Sequence, residues 1–129
     1  NLDRLRANAI EAAEQCNMVY VPDIAEPEKL NDILAGWPDD RTLIFCDERA
    51  GRANPADTLK QVKTGPVAVL LGPEGGFSED ERGLILSLPN AVALSLGPRI
   101  MRADTAAVAV LALVQAVLGD WRADNETDK

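Results

Sequence analysis

The sequence predicts an α/β domain whose mostly parallel sheet is flanked by helices. Three observations carry that expectation. Short apolar runs alternate along the chain with segments patterned like helices. The runs at Thr42–Cys46 (TLIFC) and Val67–Leu71 (VAVLL) are continuously apolar rather than alternating, as strands covered on both faces are. The 129 residues, 47% hydrophobic and 26% charged, have the proportions of an ordinary globular domain, without a low-complexity segment or internal repeat.

Taken in order, Leu2, Leu5, Ala9, Ala12 and Cys16 recur at helical spacing and define an amphipathic helix over residues 2–16. Val19–Val21 is a short β-prone run stopped by Pro22. Pro27 is placed to open a second helix ending near Gly36. After the strand at 42–46, Asn54 and Pro55 form a cap and first turn for a short helix reaching about Val62. After the strand at 67–71, Ser78 and Glu81 have the spacing of a capping box. Ala91–Leu96 is the last of four strands, and Asp104 or Thr105 caps a final helix that Gly119 ends. That helix contains the longest apolar run, Ala106–Leu118, interrupted only by Gln115. Its thirteen residues reach about 20 Å, against about 30 Å for a bilayer core, so it is expected to be a buried helix and no membrane segment is expected. No basic-then-apolar signal segment opens the chain. A first residue of Asn rather than Met suggests a piece of a longer protein.

Composition excludes several chemistries. Thirteen basic against 21 acidic residues give a net charge of −8, which argues against gripping nucleic acid by bulk positive charge. With no His in the chain, Ser-His-Asp and Cys-His nucleophiles and His-ligated metal sites are excluded within one protomer. Cys16 and Cys46 form no CxxC, so two buried free thiols are expected and no metal.

In an open parallel sheet, ligands bind beyond the carboxyl ends of the strands. Three loops qualify. Asp47–Ala53 (DERAGRA) is mixed in charge and by itself indicates no chemistry. Gly72–Phe77 (GPEGGF) lets backbone approach a ligand at Gly72, Gly75 and Gly76 and places one carboxylate, Glu74, beside them. It fits neither a Walker loop nor GxGxxG, and a tight strand-to-helix turn would use the same glycines. Gly97–Thr105 (GPRIMRADT) carries Arg99 and Arg102 around the apolar Ile100 and Met101. A flat ring can lie against such apolar side chains, and the arginines can fork onto a phosphate or carboxylate. Alternatively, the arginines pair with Glu74, Asp104 or the start of the helix.

Two motifs, LLGPEGGFSEDE at 70–81 and LSLGPRIMRADTAAVAVL at 94–111, resemble the two-part signature of RsmE-type methyltransferases of the SPOUT superfamily. AIEAAEQC at 9–16 and VP at 21–22 are also similar to that family, so the resemblance spans roughly residues 2–120. The resemblance implies S-adenosylmethionine as methyl donor and ring nitrogen 3 of a uridine in small-subunit ribosomal RNA as acceptor. It also implies a C-terminal trefoil knot, a cytoplasmic homodimer with the final helix in or near the interface, and no metal. The donor pocket it implies comprises Phe45, Cys46, Leu71, Gly72, Gly76, Leu94, Ser95, Leu96, Gly97, Ile100, Met101 and Thr105.

With no His to remove the uracil proton, Arg102 is the candidate for stabilising the uracil anion or holding a phosphate, and Glu74 for proton acceptor or pocket organiser. Residues 1–120 are expected to be the methyltransferase domain without its start, and 121–129 a flexible tail. The chain departs from the family pattern in three places. Asp104 stands where a Glu is usual, Asn17-Met18-Val19 where an Arg commonly follows EQC, and the family's N-terminal RNA-binding barrel and first strand-helix segment are expected to lie outside these 129 residues. Action on another RNA such as tRNA, or a non-catalytic dimeric binding module, are the alternatives.

Overall fold

The computed structural model describes residues 1–51, 53–73, 76–97, 102–119 and 121–122. The chain forms two compact units, Asn1–Ile33 and Leu34–Lys129.

In the first unit, α1 spans Leu2–Gln15 and buries Ala13. The Asn1 side chain caps it by accepting the Arg4 amide at 3.1 Å. The helix is released through Asn17, whose φ of 58° is a left-handed conformation that Asn tolerates. The Arg6 guanidinium donates to the Ile24 carbonyl at 3.2 Å and so ties α1 to the extended chain beyond it. The strand expected at Val19–Val21 does not form. Val19 is fully exposed and Tyr20 70% exposed, because three β-prone residues before a proline have no ladder to join among the described residues. Cys16 is exposed and free, contrary to the expected buried thiol.

The helix expected from Pro27 begins later, as α2 at Leu30–Ala35. Leu34 is its buried residue, so burial rather than the proline fixes where that helix forms.

The second unit is built on three strands, β1 (Thr42–Cys46), β2 (Val67–Leu70) and β3 (Ala91–Leu94), in the order β2-β1-β3. Both pairings are parallel, with Phe45 opposite Leu70 and Cys46 opposite Leu94. The central strand is the buried one, its first four residues lying out of solvent, while β2 and, apart from buried Leu94, β3 are half-buried. The connections carry α3 (Pro55–Lys60), α4 (Glu79–Leu86) and α5 (Ala103–Leu118).

The two sheet faces separate by register. Ile44, Cys46, Val67, Val69 and Leu94 share one face and form a core with Leu59 of α3 and Val110 and Val114 of α5. Phe45, Leu70 and Ala93 share the other. There Phe45 meets Phe77 edge to face at 5.2 Å, and α4 runs along β3 with Ile85 buried. The chain crosses from β1 to β2 in one direction and from β2 over β1 to β3 in the other. Two crossovers of the same hand in opposite directions place their helices on opposite faces.

Local signals fix the helix ends. The Asn54 side chain caps α3 by accepting the Ala56 amide at 2.8 Å. Ser78 and Glu81 form the expected capping box on α4, with bonds of 3.1 and 2.8 Å. Gly119 ends α5 as expected, but its N-cap is Arg102 rather than Asp104 or Thr105, and the Arg102 side chain makes no capping hydrogen bond. Asp104 instead accepts the Thr105 amide at 2.8 Å from inside the first turn. The expectation that this helix is buried is also corrected. Val110 and Val114 are buried, whereas Val108 is 71% and Leu111 52% exposed. A single helix of 16 residues lying on a sheet can turn only one apolar stripe towards it. Residues 98–101, where the expected knot would be traced, and 123–129 of the expected tail lie outside the described residues.

Candidate functional site

Because both pairings are parallel, the carboxyl ends of all three strands reach one end of the sheet, with β1 between its neighbours. Cys46 and Asp47, Leu71 and Gly72, and Ser95–Gly97 therefore gather there. The Asp47 amide extends the ladder by donating to the Leu94 carbonyl at 3.0 Å.

The sequence-expected residues divide by what they present. Phe45 and Leu94 are buried to 0% and 1% exposure, so their side chains belong to the core and only their backbone is available to a ligand. Cys46, Leu71, Ser95 and Leu96 are half-buried at the rim. Burial raises the Cys46 thiol to about 11, which keeps it protonated and unreactive at neutral pH.

Gly72 has a specific steric reason. A Cβ there would lie 2.7 Å from the Phe77 ring, so the ring packs where a side chain would begin. Gly76 has φ +77° and donates its amide to the Pro73 carbonyl at 2.8 Å. Gly97 has φ +104°, with nothing among the described residues within 4 Å of where a Cβ would stand, and its amide donates to the Ser95 hydroxyl at 3.2 Å. Two left-handed glycines on adjoining connections expose backbone where L side chains would be strained. Thr105 is exposed on the first turn of α5.

Glu74, Arg99, Ile100 and Met101 lie outside the described residues. Arg102 is 78% exposed at the side chain, with its Nε 3.5 Å from Asp104. This is the pairing considered as the alternative for that arginine. A pair so exposed holds the guanidinium only weakly, which leaves it available to an anion.

Three residues here had no signal in the sequence. Asp47 is buried at 6% exposure; its Oδ2 accepts from Arg82 Nε at 2.8 Å and its Oδ1 from the Arg49 amide at 3.0 Å. The Arg49 guanidinium donates to the Phe77 carbonyl at 3.1 Å and pairs with Glu79. A charged residue following a buried strand is common, and nothing in the spacing of 47 and 82 marks them as partners. Among the described residues, no cluster of three or more carboxylate or thiol groups is placed to hold a metal, and no helix is long and apolar enough to cross a membrane.

A parallel α/β sheet with glycine-bearing connections at its carboxyl end is a ligand-binding architecture. The chain belongs to the RNA methyltransferase domain family, which it matches over residues 1–115. It is 31% identical over 116 residues to the ribosomal RNA small subunit methyltransferase E of Rickettsia conorii, covering 89% of this chain and 47% of that one. It is 33% identical over 120 residues to the protein of the same name from Synechocystis, covering 91% and 39%. Among solved structures, it is similar to a ribosomal RNA small subunit methyltransferase E from Neisseria gonorrhoeae bound to S-adenosyl methionine. That likeness has a TM-score of 0.82 and 29% identity, over 94% of this chain and 49% of the other. A Legionella pneumophila protein in complex with the same cofactor gives 0.79 and 33%, over 92% and 47%. These likenesses bear out the SPOUT-type α/β fold expected from the two motifs. The chain spans about half the length, or less, of the curated relatives it matches.

Proposed function

We propose that this chain is the donor-binding, catalytic part of an S-adenosylmethionine-dependent methyltransferase. Its substrate in this reading is small-subunit ribosomal RNA, methylated at ring nitrogen 3 of a uridine. The observation that carries the reading is the convergence of three connections at one end of a parallel sheet, in a chain similar to proteins crystallised with that cofactor. The residues present suit the group. Gly76 and Gly97 offer backbone in positive-φ conformations, the space beside Gly97 is open among the described residues, and Leu71 and Leu96 give a half-buried apolar rim. In this reading Cys46, Leu71, Gly72, Gly76, Ser95–Gly97 and Thr105 hold the donor together with Ile100 and Met101, and Phe45 and Leu94 contribute backbone.

When bound, the donor supplies a methyl group on a sulfonium, whose displacement requires alignment rather than a covalent enzyme intermediate. The remaining chemistry falls to the chain. The uracil nitrogen must lose its proton, and with no His the work divides between a cation that stabilises the anion and a carboxylate that takes the proton. Arg102 is assigned the first role, on the ground that its guanidinium is exposed and weakly paired beside the site. Glu74 is assigned the second from its place in the GPEGGF connection.

The exposed Val108 and Leu111 of α5 favour a homodimer built on that helix. RNA affinity is assigned to placed arginines and to a further RNA-binding domain rather than to this chain's charge of −8. A cytoplasmic location follows from a ribosomal substrate.

The test is methylation of small-subunit ribosomal RNA, mapped by primer extension and mass. Arg102→Ala is expected to abolish methylation while leaving donor affinity within about threefold, since it removes an interaction made only in the transition state. Full activity in that variant overturns the role of Arg102, and a modified tRNA with unmodified ribosomal RNA overturns the substrate.

A further inference from the structure

The loop after β1 indicates no chemistry by composition, yet it holds a buried carboxylate that the proposed reaction does not use. Asp47 is 6% exposed, and both of its oxygens are taken: Oδ2 by Arg82 Nε at 2.8 Å and Oδ1 by the Arg49 amide at 3.0 Å. Its neighbours reach the same stretch of chain. Arg49 donates to the Phe77 carbonyl at 3.1 Å and pairs with Glu79, and Glu48 Oε2 lies 3.8 Å from where a Gly76 Cβ would stand. Residues 47 and 49 therefore grip positions 77, 79 and 82, and residue 48 lies beside 76, in the segment that leads from the glycine-bearing connection into α4. Burying a carboxylate is costly unless each oxygen is satisfied, so the whole arrangement is fixed together or lost together.

We infer that Asp47, acting through Arg49 and Arg82, is a positioning residue. It holds Gly76 and Phe77 in the backbone geometry that donor binding requires. The inference rests on the donor site proposed above. The glycine at 76 is free to take many conformations, and its own bond to Pro73 is a single one. A charged clasp anchored just past the end of the central strand supplies the restraint that the glycine lacks.

The test uses three variants of the chain and two measurements, calorimetric titration with S-adenosylmethionine and amide hydrogen exchange at Gly76 and Phe77. Asp47→Asn preserves shape but sets an amide N–H against one of the two donors. Arg49→Met releases Phe77 and Glu79 from a side chain already 45% exposed, without burying a charge, and serves if Asp47→Asn fails to fold. Asn90→Ala is the control, since its amide donates to the Pro38 and Arg41 carbonyls at the amino end of the same sheet.

Asp47→Asn and Arg49→Met are expected to weaken donor binding about tenfold or more, because small misplacements of a binding element are costly. Both are also expected to speed exchange at Gly76 and Phe77 by about tenfold, through local opening. Asn90→Ala is expected to lower thermal stability while changing neither readout beyond about twofold, because its site is at the far end. Unchanged donor affinity and exchange in a folded Asp47→Asn or Arg49→Met variant overturns the inference, as does an equal effect from Asn90→Ala. Absence of donor binding by the unaltered chain overturns the donor-site reading instead, and the exchange measurement still decides whether Asp47 positions Gly76.

Discussion

Replacing Gly72 by alanine tests the sheet end with one methyl group. The backbone at Gly72 is not left-handed, so alanine meets no conformational penalty there, and all of the cost comes from the neighbour. The added Cβ would lie 2.7 Å from Phe77 Cε2, 3.0 Å from Cζ and 3.2 Å from Cδ2, too close for the ring to stay. The ring cannot move freely, because it stands edge-on to Phe45, which is fully buried. Overpacking of this kind costs about 1–3 kcal/mol. A displaced ring also gives up an aromatic pair worth about 0.5–1.5 kcal/mol. Against these stands about 0.4–1 kcal/mol from the lower entropy of the unfolded alanine chain. The net is a loss of about 2 kcal/mol.

With an unfolding entropy of about 2.1 cal/mol/K per residue over 129 residues, that loss lowers Tm by about 7 °C. The assay is thermal unfolding of the unaltered chain, Gly72→Ala, Phe77→Ala and the double variant. Without the ring, Gly72→Ala is expected to be neutral or stabilising by up to about 1 kcal/mol, which gives a coupling of about 2–3 kcal/mol. An equal loss from Gly72→Ala in both backgrounds would refute the argument that Phe77 is what demands glycine.

Three further outcomes can be measured on the thiols and on the α4 cap. Alkylation near pH 8 is expected to modify exposed Cys16 and spare Cys46, whose thiol burial pushes up to about 11; mass spectrometry of the labelled chain reads this directly. A folded value above the unfolded 9.0 means the native state holds that proton more tightly. Its contribution is complete below pH 9 and is lost as pH rises through 11, by about 1–2 kcal/mol after allowing for partial exposure. Cys46→Ser should flatten stability over that window, and an unchanged slope would count against the assignment. Ser78→Ala removes the acceptor for the Glu81 amide and should cost about 1 kcal/mol in chemical denaturation; a loss below about 0.3 kcal/mol would mean that the box contributes little.

The strands at 42–46, 67–70 and 91–94 were legible because a sheet covered on both faces writes its burial as consecutive apolar residues. Asn54 and Ser78 were legible because a cap acts on amides two or three residues away. The two glycine-bearing motifs were legible for a related reason: each lies on one connection, where backbone conformation is a local property. The errors have the opposite character. Val19–Val21 has strand-forming residues but no ladder, and the run at 106–118 is apolar on faces that the sheet cannot reach, leaving Val108 and Leu111 in solvent.

By itself, then, the sequence determined the α/β class, the caps of α3 and α4, the three connections that meet at the site and the family resemblance, since each depends on neighbours within a few residues. Only the tertiary structure decided the order β2-β1-β3, the burial of Asp47 and its grip on Arg82, and the ring that excludes a side chain from Gly72. Those depend on which strands pair, and desolvation acts on residues 35 apart in sequence only after the sheet has brought them together.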